Sequence, residues 1–230
     1  MKKLLFCLAF LSLTAGRAGA GLVLSTTNPP GTPLNMSAGS TSGPMLLNVT
    51  SDTPPNDIMA AWQVQLEIVP ITGTGTLVFN DPATSSVSNP LGYVFGTNGL
   101  GPFPTNSGTG LLDYDFYNTS VAAGVIVPGA PGASLLQMTF SASSDASGLF
   151  GVYAEEGLAN TLWTDTGSIN QLFTNVPDGT GTVLLGEVQL PDQTGAVPEP
   201  STLGLLTLSG VALLAWQVRG QRRSAVTSSK

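Results

Sequence analysis

The chain has 230 residues, with fourteen Asp and Glu, seven Lys and Arg, no His and one Cys, for a net charge of −7. The seven bases are Lys2, Lys3, Arg17, Arg219, Arg222, Arg223 and Lys230, so the stretch between Arg17 and Arg219 holds all fourteen acids and no cation. That excludes nucleic-acid binding through phosphate contacts, Arg clamps, His- or Lys-based nucleophilic catalysis, and zinc, iron or copper sites of the His/Cys type.

What remains is chemistry built on carboxylates, hydroxyls and backbone groups, of which glycoside hydrolysis and calcium binding are examples. Hydrophobic residues make up 42% of the chain, too many for disorder throughout. One domain with one core is the expectation for a body of this length.

Residues 1–20 read as a secretory signal peptide. Lys2 and Lys3 supply the positive start, an apolar run follows, and Ala18-Gly19-Ala20 provides small residues for cleavage before Gly21. The alternative is a retained N-terminal anchor, although the apolar run is short for a bilayer. Cys7 lies ahead of the cut, so the mature chain is expected to carry no cysteine and no disulfide.

Residues 21–192 alternate short apolar runs with clusters of Gly, Pro, Asn, Ser and Thr. In Trp62-Gln63-Val64-Gln65-Leu66-Glu67-Ile68 the apolar side chains share one face and the polar ones the other, as in a strand packed on one side. Leu136, Met138 and Phe140 alternate with Gln137 and Thr139 in the same way. Further strands are expected at residues 22–25, 45–50, 75–79, 92–95, 111–117, 121–127, 149–154 and 182–190, with turns or loops at 28–31, 52–56 and 99–110. No stretch of the body has a helical period. The pattern predicts an all-β fold, a single antiparallel β-sandwich of jelly-roll or cohesin-like type.

The segments Ala61-Trp62-Gln63-Val64-Gln65-Leu66-Glu67-Ile68 and Leu135-Leu136-Gln137-Met138-Thr139-Phe140, the latter leading to Ser147-Gly148-Leu149-Phe150-Gly151-Val152, resemble the strands of cohesin-like sandwiches. That resemblance implies a binding or structural module.

Three groups of residues could carry chemistry in the body. Asp113 and Asp115 lie two apart on a predicted strand and so share a face. Calcium could bridge them, but two solvated carboxylates on an exposed face are the plainer expectation. Glu155 and Glu156 could join a distant Asp in a carboxylate-only glycoside hydrolase; a turn rim is the plainer expectation. Trp62, Trp163, Tyr93, Tyr114, Tyr117 and Tyr153 could supply a sugar-stacking surface, although Trp62, by its alternation, belongs to the core. Trp163 sits in a loop-like context, and a carbohydrate-binding surface would need it facing solvent. No catalytic, cofactor-binding or metal-ligating residue is assigned, and no cofactor is expected.

Residues 193–202 form an expected linker containing Val197-Pro198-Glu199-Pro200-Ser201, whose prolines cannot continue a strand or a helix. The apolar run 203–218 would reach about 24 Å as a helix, enough to span a bilayer marginally. Residues 219–230 form a basic tail, and Arg219, Arg222 and Arg223 would hold it on the cytoplasmic side. A permanent anchor is one reading. Pro-Glu-Pro, an apolar helix and a basic cluster together resemble the PEP-CTERM sorting signal of bacterial exported proteins. The resemblance implies export, transient anchoring in the inner membrane and cleavage near Pro198-Glu199-Pro200 by an exosortase-type membrane protease.

The expectation is therefore an exported, non-enzymatic protein of a bacterial cell surface or extracellular matrix, with the membrane protease as its partner and extracellular polysaccharide as a second candidate. A carbohydrate-binding module or adhesin is the alternative, and a glycoside hydrolase the remote one.

Overall fold

A computed structural model describes residues 21–54, 57–80, 91–101, 103–118, 120 and 122–192. Among them there are fourteen strands and no helix. The expected signal peptide, linker, membrane helix and basic tail lie outside the described residues.

The longest strand organises the rest. β4 (Ile58–Pro70) buries Trp62, Val64, Leu66 and Ile68 and turns Gln63, Gln65 and Glu67 outward. It pairs antiparallel with β7 (Gly110–Phe116) on one side and with β11 (Gly148–Glu155) and β12 (Leu162–Asp165) on the other. β14 (Thr182–Leu190) continues the sheet beyond β11. The short strands β2 (Leu34–Asn35), β6 (Thr105–Asn106), β8 (Val125–Ile126) and β13 (Asn170–Gln171) complete nine strands.

A second sheet consists of β1 (Leu22–Thr26), β3 (Met45–Ser51) and β9 (Ala133–Met138), in the order β1-β3-β9. β5 (Leu77–Phe79) and β10 (Phe140–Ala142) form a separate pair. Leu22, Leu24, Met45, Leu47, Val49, Leu136 and Met138 from the second sheet join Trp62, Val64, Leu66, Phe150, Val152 and Val188 from the large one in a single buried cluster. Two sheets sharing one core make a sandwich. Each fully buried Leu or Phe in it contributes roughly 1.5–3 kcal/mol.

Most expected strands are present within a residue or two. Residues 92–95 are not a strand: Gly92 (φ +80°) and Gly96 (φ +56°) hold left-handed conformations that break an extended run at both ends. The loop nevertheless buries Tyr93, Val94 and Phe95, so its apolar run plugs the core without joining a sheet. The run expected at 121–127 supplies only the two-residue β8. The loop-like segment around Trp163 is β12, and the loop expected at 99–110 contains β6.

The described body has no side-chain cation, so its acids repel one another with no ion pair to oppose them. Salt should therefore stabilise it. Raising NaCl from 10 to 300 mM is expected to raise the melting midpoint, by about 2–4 °C for each ~1 kcal/mol of repulsion relieved. A midpoint that falls with salt in thermal melts would contradict this account.

Candidate functional site

β7 alternates Leu111, Asp113 and Asp115 inward with Leu112, Tyr114 and Phe116 outward. Both aspartates are 0% exposed. This corrects the expectation of two solvated carboxylates: they do share a face, but it is the one that packs on the core beneath loop 91–103. Asp115 accepts hydrogen bonds from the Tyr93 hydroxyl and from the N–H groups of Gly101 and Phe116. Asp113 accepts the Tyr114 N–H at 2.8 Å, and its Oδ2 has no partner among the described residues.

Burial pushes Asp113 up to about 7, and the neighbouring Asp115 charge adds to the shift. N–H groups of Tyr114 and Phe103 oppose it. Burial, then the bond to Asp115, raises the Tyr93 hydroxyl far above its ordinary value. The donors around this pair are N–H and O–H groups, which suit anionic acceptors. The pair lines neither of the surface cavities described below.

Glu155 and Glu156 diverge at the end of β11. Glu156 accepts the Gly181 N–H at 3.1 Å and so braces the adjoining turn. Glu155 lines a depression of about 340 Å³ with Glu67, Gln65 and Thr105. Trp163 points into the core, 2% exposed, and donates Nε1–H to the Leu172 carbonyl at 3.2 Å. It offers no surface to a ligand.

The exposed aromatic surface lies elsewhere. Phe103 and Tyr114 stack with ring centroids 5.2 Å apart, and Tyr114 meets Phe116 edge-on at 5.6 Å. Phe116 is 47% exposed. Tyr114 is one of the aromatics from which the sequence leads one to expect a stacking surface, and its alternation with Asp113 and Asp115 could have added Phe116 to it. Phe103 comes from a loop, and only the fold brings it to them.

Phe116 also walls a groove of about 680 Å³ whose lining includes Ala60, Ala61, Thr164, Thr166, Ser168 and Asn170. Its floor arises from a bulge. Thr164 faces Ala61 but Asp165 faces Met59, so Ala60 is an extra residue in β4. Two small side chains in succession then line the groove where one bulky residue would fill it. In the opposite wall, Asp165 accepts the N–H groups of Gly167 at 2.8 Å and Ile169 at 3.0 Å and the Gln171 amide at 2.8 Å. Those bonds, led by Ile169, hold its carboxyl below the usual carboxylate range.

Of the expected cleavage residues, Ala18 and Ala20 lie outside the described residues and Gly21 lies within them. The Gly21 N–H donates to Asp52 Oδ1 at 3.0 Å, and its carbonyl accepts the Asp52 N–H at 3.0 Å. A Cβ at this position would come within 2.1 Å of Thr174 Oγ1, so a side chain here would have to displace Thr174 or Asp52. Val197, Pro198, Glu199, Pro200, Ser201, Arg219, Arg222 and Arg223 all lie outside the described residues.

Residues 196–223 match the family model described as the PEP-CTERM protein-sorting motif. The C-terminus thus carries this sorting motif. No curated protein matches the chain. Among solved structures, the body is similar to the sixth cohesin of scaffoldin B from Acetivibrio cellulolyticus, solved in complex with a Cel5 dockerin mutant. The two are 13% identical over 74% of this chain and 99% of that chain, with a TM-score of 0.48. It is similar as well to CaCohA2 from Clostridium acetobutylicum, at 12% identity over 76% of this chain and 94% of that chain, with a TM-score of 0.49. A chain of the Coh-OlpC–Doc435 complex, a type I cohesin–dockerin complex from Clostridium thermocellum, is 12% identical over 75% of this chain and 96% of its own, with a TM-score of 0.48.

The buried position of Asp113 sets a pH dependence. The folded chain keeps the proton up to about pH 7, whereas the unfolded chain releases it near 4. The native state binds more protons between those values, so this residue's contribution to stability falls as pH rises from about 4 to 7 and is level above 7. The loss is at most about 4 kcal/mol. Of the groups beside it, Asp115 adds its charge and Tyr93 does not titrate in this window. Asp145, held low chiefly by the Ser143 hydroxyl, and Asp165 act with the opposite sign, at more acidic pH. Urea unfolding at pH 5 and pH 8 should show the wild type weaker at pH 8, with Asp113→Asn reducing the difference. An unchanged difference in the variant would remove Asp113 as its source.

Proposed function

We propose that the chain is an exported, non-catalytic β-sandwich protein of a bacterial envelope or extracellular matrix. In this reading, residues 203–218 hold it briefly in the inner membrane, and an exosortase-type protease cuts near Pro198-Glu199-Pro200. The observation that carries the proposal is the sorting motif at residues 196–223, which begins six residues after the last core strand ends at Leu190. The distribution of charge supports it. Every Lys and Arg lies in the two terminal segments, where positive charge orients a chain at a membrane, and none lies in the body.

A second reading, a binding module or adhesin, is favoured by the exposed aromatic row Phe103, Tyr114 and Phe116 on the outer face of the large sheet. The two are compatible: sorting delivers the domain, and the outer face meets what lies outside the cell.

Intact-mass measurement of the protein from cells and medium tests the sorting proposal. The mature product should begin at Gly21 and lack residues 203–230. In a strain without the exosortase, or in a Pro198→Ala, Glu199→Ala or Pro200→Ala variant, the longer form should accumulate in the membrane fraction. A product that keeps residues 203–230 while the protease is active would defeat it.

A further inference from the structure

We infer that the groove between Phe116 and the β12–β13 turn is a binding site for a neutral polysaccharide, taking one sugar ring against Phe116. The inference rests on the reading of the protein as an exported module and assigns that module its ligand class.

Three features of the groove converge. Its volume of about 680 Å³ falls within the range of small-ligand sites. Its floor is apolar and low because the β4 bulge places Ala60 and Ala61 there in succession. Its aromatic wall is held in place, since the Phe116 ring packs edge-on against Tyr114, itself stacked on Phe103. A half-exposed ring in a fixed orientation offers a π-face to the C–H face of a sugar at little entropic cost.

The opposite wall supplies hydrogen-bonding groups. Asn170 Oδ1 accepts the Thr164 hydroxyl at 2.9 Å, which leaves the Asn170 amide N–H groups without a partner among the described residues. The hydroxyls of Thr166 and Ser168 also line this wall without a hydrogen-bond partner among the described residues. Ser168 adopts φ +60°, a left-handed conformation in which glycine would be unstrained. A residue kept there at such a cost carries a hydroxyl that glycine lacks. Asp165 has both carboxylate oxygens engaged by the turn, so it shapes this wall and is not an open acceptor.

Charge decides the class of glycan. No Lys, Arg or His occurs between Arg17 and Arg219, so nothing in the domain can pair with a uronate, sulfate or phosphate. Its thirteen acids repel such polymers. A neutral glycan escapes that penalty and matches both walls, hydroxyls to the amide and hydroxyl side and ring face to Phe116.

Affinity electrophoresis of the purified mature protein tests this in gels containing cellulose derivatives, starch, xylan, mannan or β-1,3-glucan, with alginate and pectate as anionic controls. At least one neutral polymer should retard the protein, and neither anionic one should. Phe116→Ala should weaken retardation at least tenfold, as should Asn170→Ala. Leu158→Ala, exposed and away from the groove, should leave it unchanged. Melting midpoints would establish that each variant is folded, and if Phe116→Ala is not, Phe116→Leu and Ser168→Gly take its place. Retardation by no neutral polymer, by alginate or pectate alone, or equally for wild type and the groove variants would overturn the inference. A peptide or protein ligand that competes at Phe116 while every glycan fails would overturn it too. The mass measurement of processing is independent of these outcomes, so failure of the glycan site and failure of the sorting proposal are read separately.

Discussion

Between Arg17 and Arg219 no side chain can carry a positive charge, and this governs how each buried carboxylate of the β-domain is held. A carboxylate taken out of water ordinarily finds a cation or loses its charge. Here the partners are neutral donors. Asp115 is bound by the Tyr93 hydroxyl and two backbone N–H groups, Asp57 by the Ser51 hydroxyl, and Glu187 by the Gly31 N–H at 2.8 Å. Asp113 has fewer donors, and burial shifts its equilibrium toward the neutral acid. In place of ion pairs, the domain uses carboxylates as anchors for loop backbone.

The same constraint explains two glycines in loop 91–103. A Cβ on Gly99 would come within 2.4 Å of Asp115 Oδ2, and one on Gly101 within 3.0 Å of Oδ1. The Gly101 backbone approaches the carboxylate closely enough to donate its N–H, and a side chain at either position would crowd Asp115. Tyr93, Val94 and Phe95 fill the core from this loop, which is tied to β7 through Asp115. Polar anchoring and apolar burial thus act on one segment, though it lacks the regular pairing of a strand.

On the opposite side of β7 the consequences are external. The alternation that turns Asp113 and Asp115 inward turns Tyr114 and Phe116 outward, so the buried acids and the exposed aromatics are two faces of one strand. A bulge in β4 then breaks the sheet's regular alternation beside Phe116 and leaves a hollow where a flat surface would otherwise run. The surface proposed to bind is built from the regular period of one strand and the irregularity of its neighbour.

Local information was enough to determine the class of this protein. Period-2 alternation along residues 62–68 and 136–140, turn residues between short apolar runs, and bases confined to the ends specify an all-β body between terminal segments, because strand pleat and membrane orientation depend on residues close in sequence. The C-terminal sorting motif is legible for the same reason, as a contiguous string. Tertiary structure decided what alternation leaves open: which face of a strand is the inside. The spacing of Asp113 and Asp115 shows that they share a face, but only the loop carrying Tyr93 and Gly101 makes that face the buried one. Trp163 looked like a loop residue because β12 has four residues and gains its order from β4, about a hundred positions away. The groove was invisible for a related reason: a bulge is a mismatch between two strands, and neither strand's sequence records it alone.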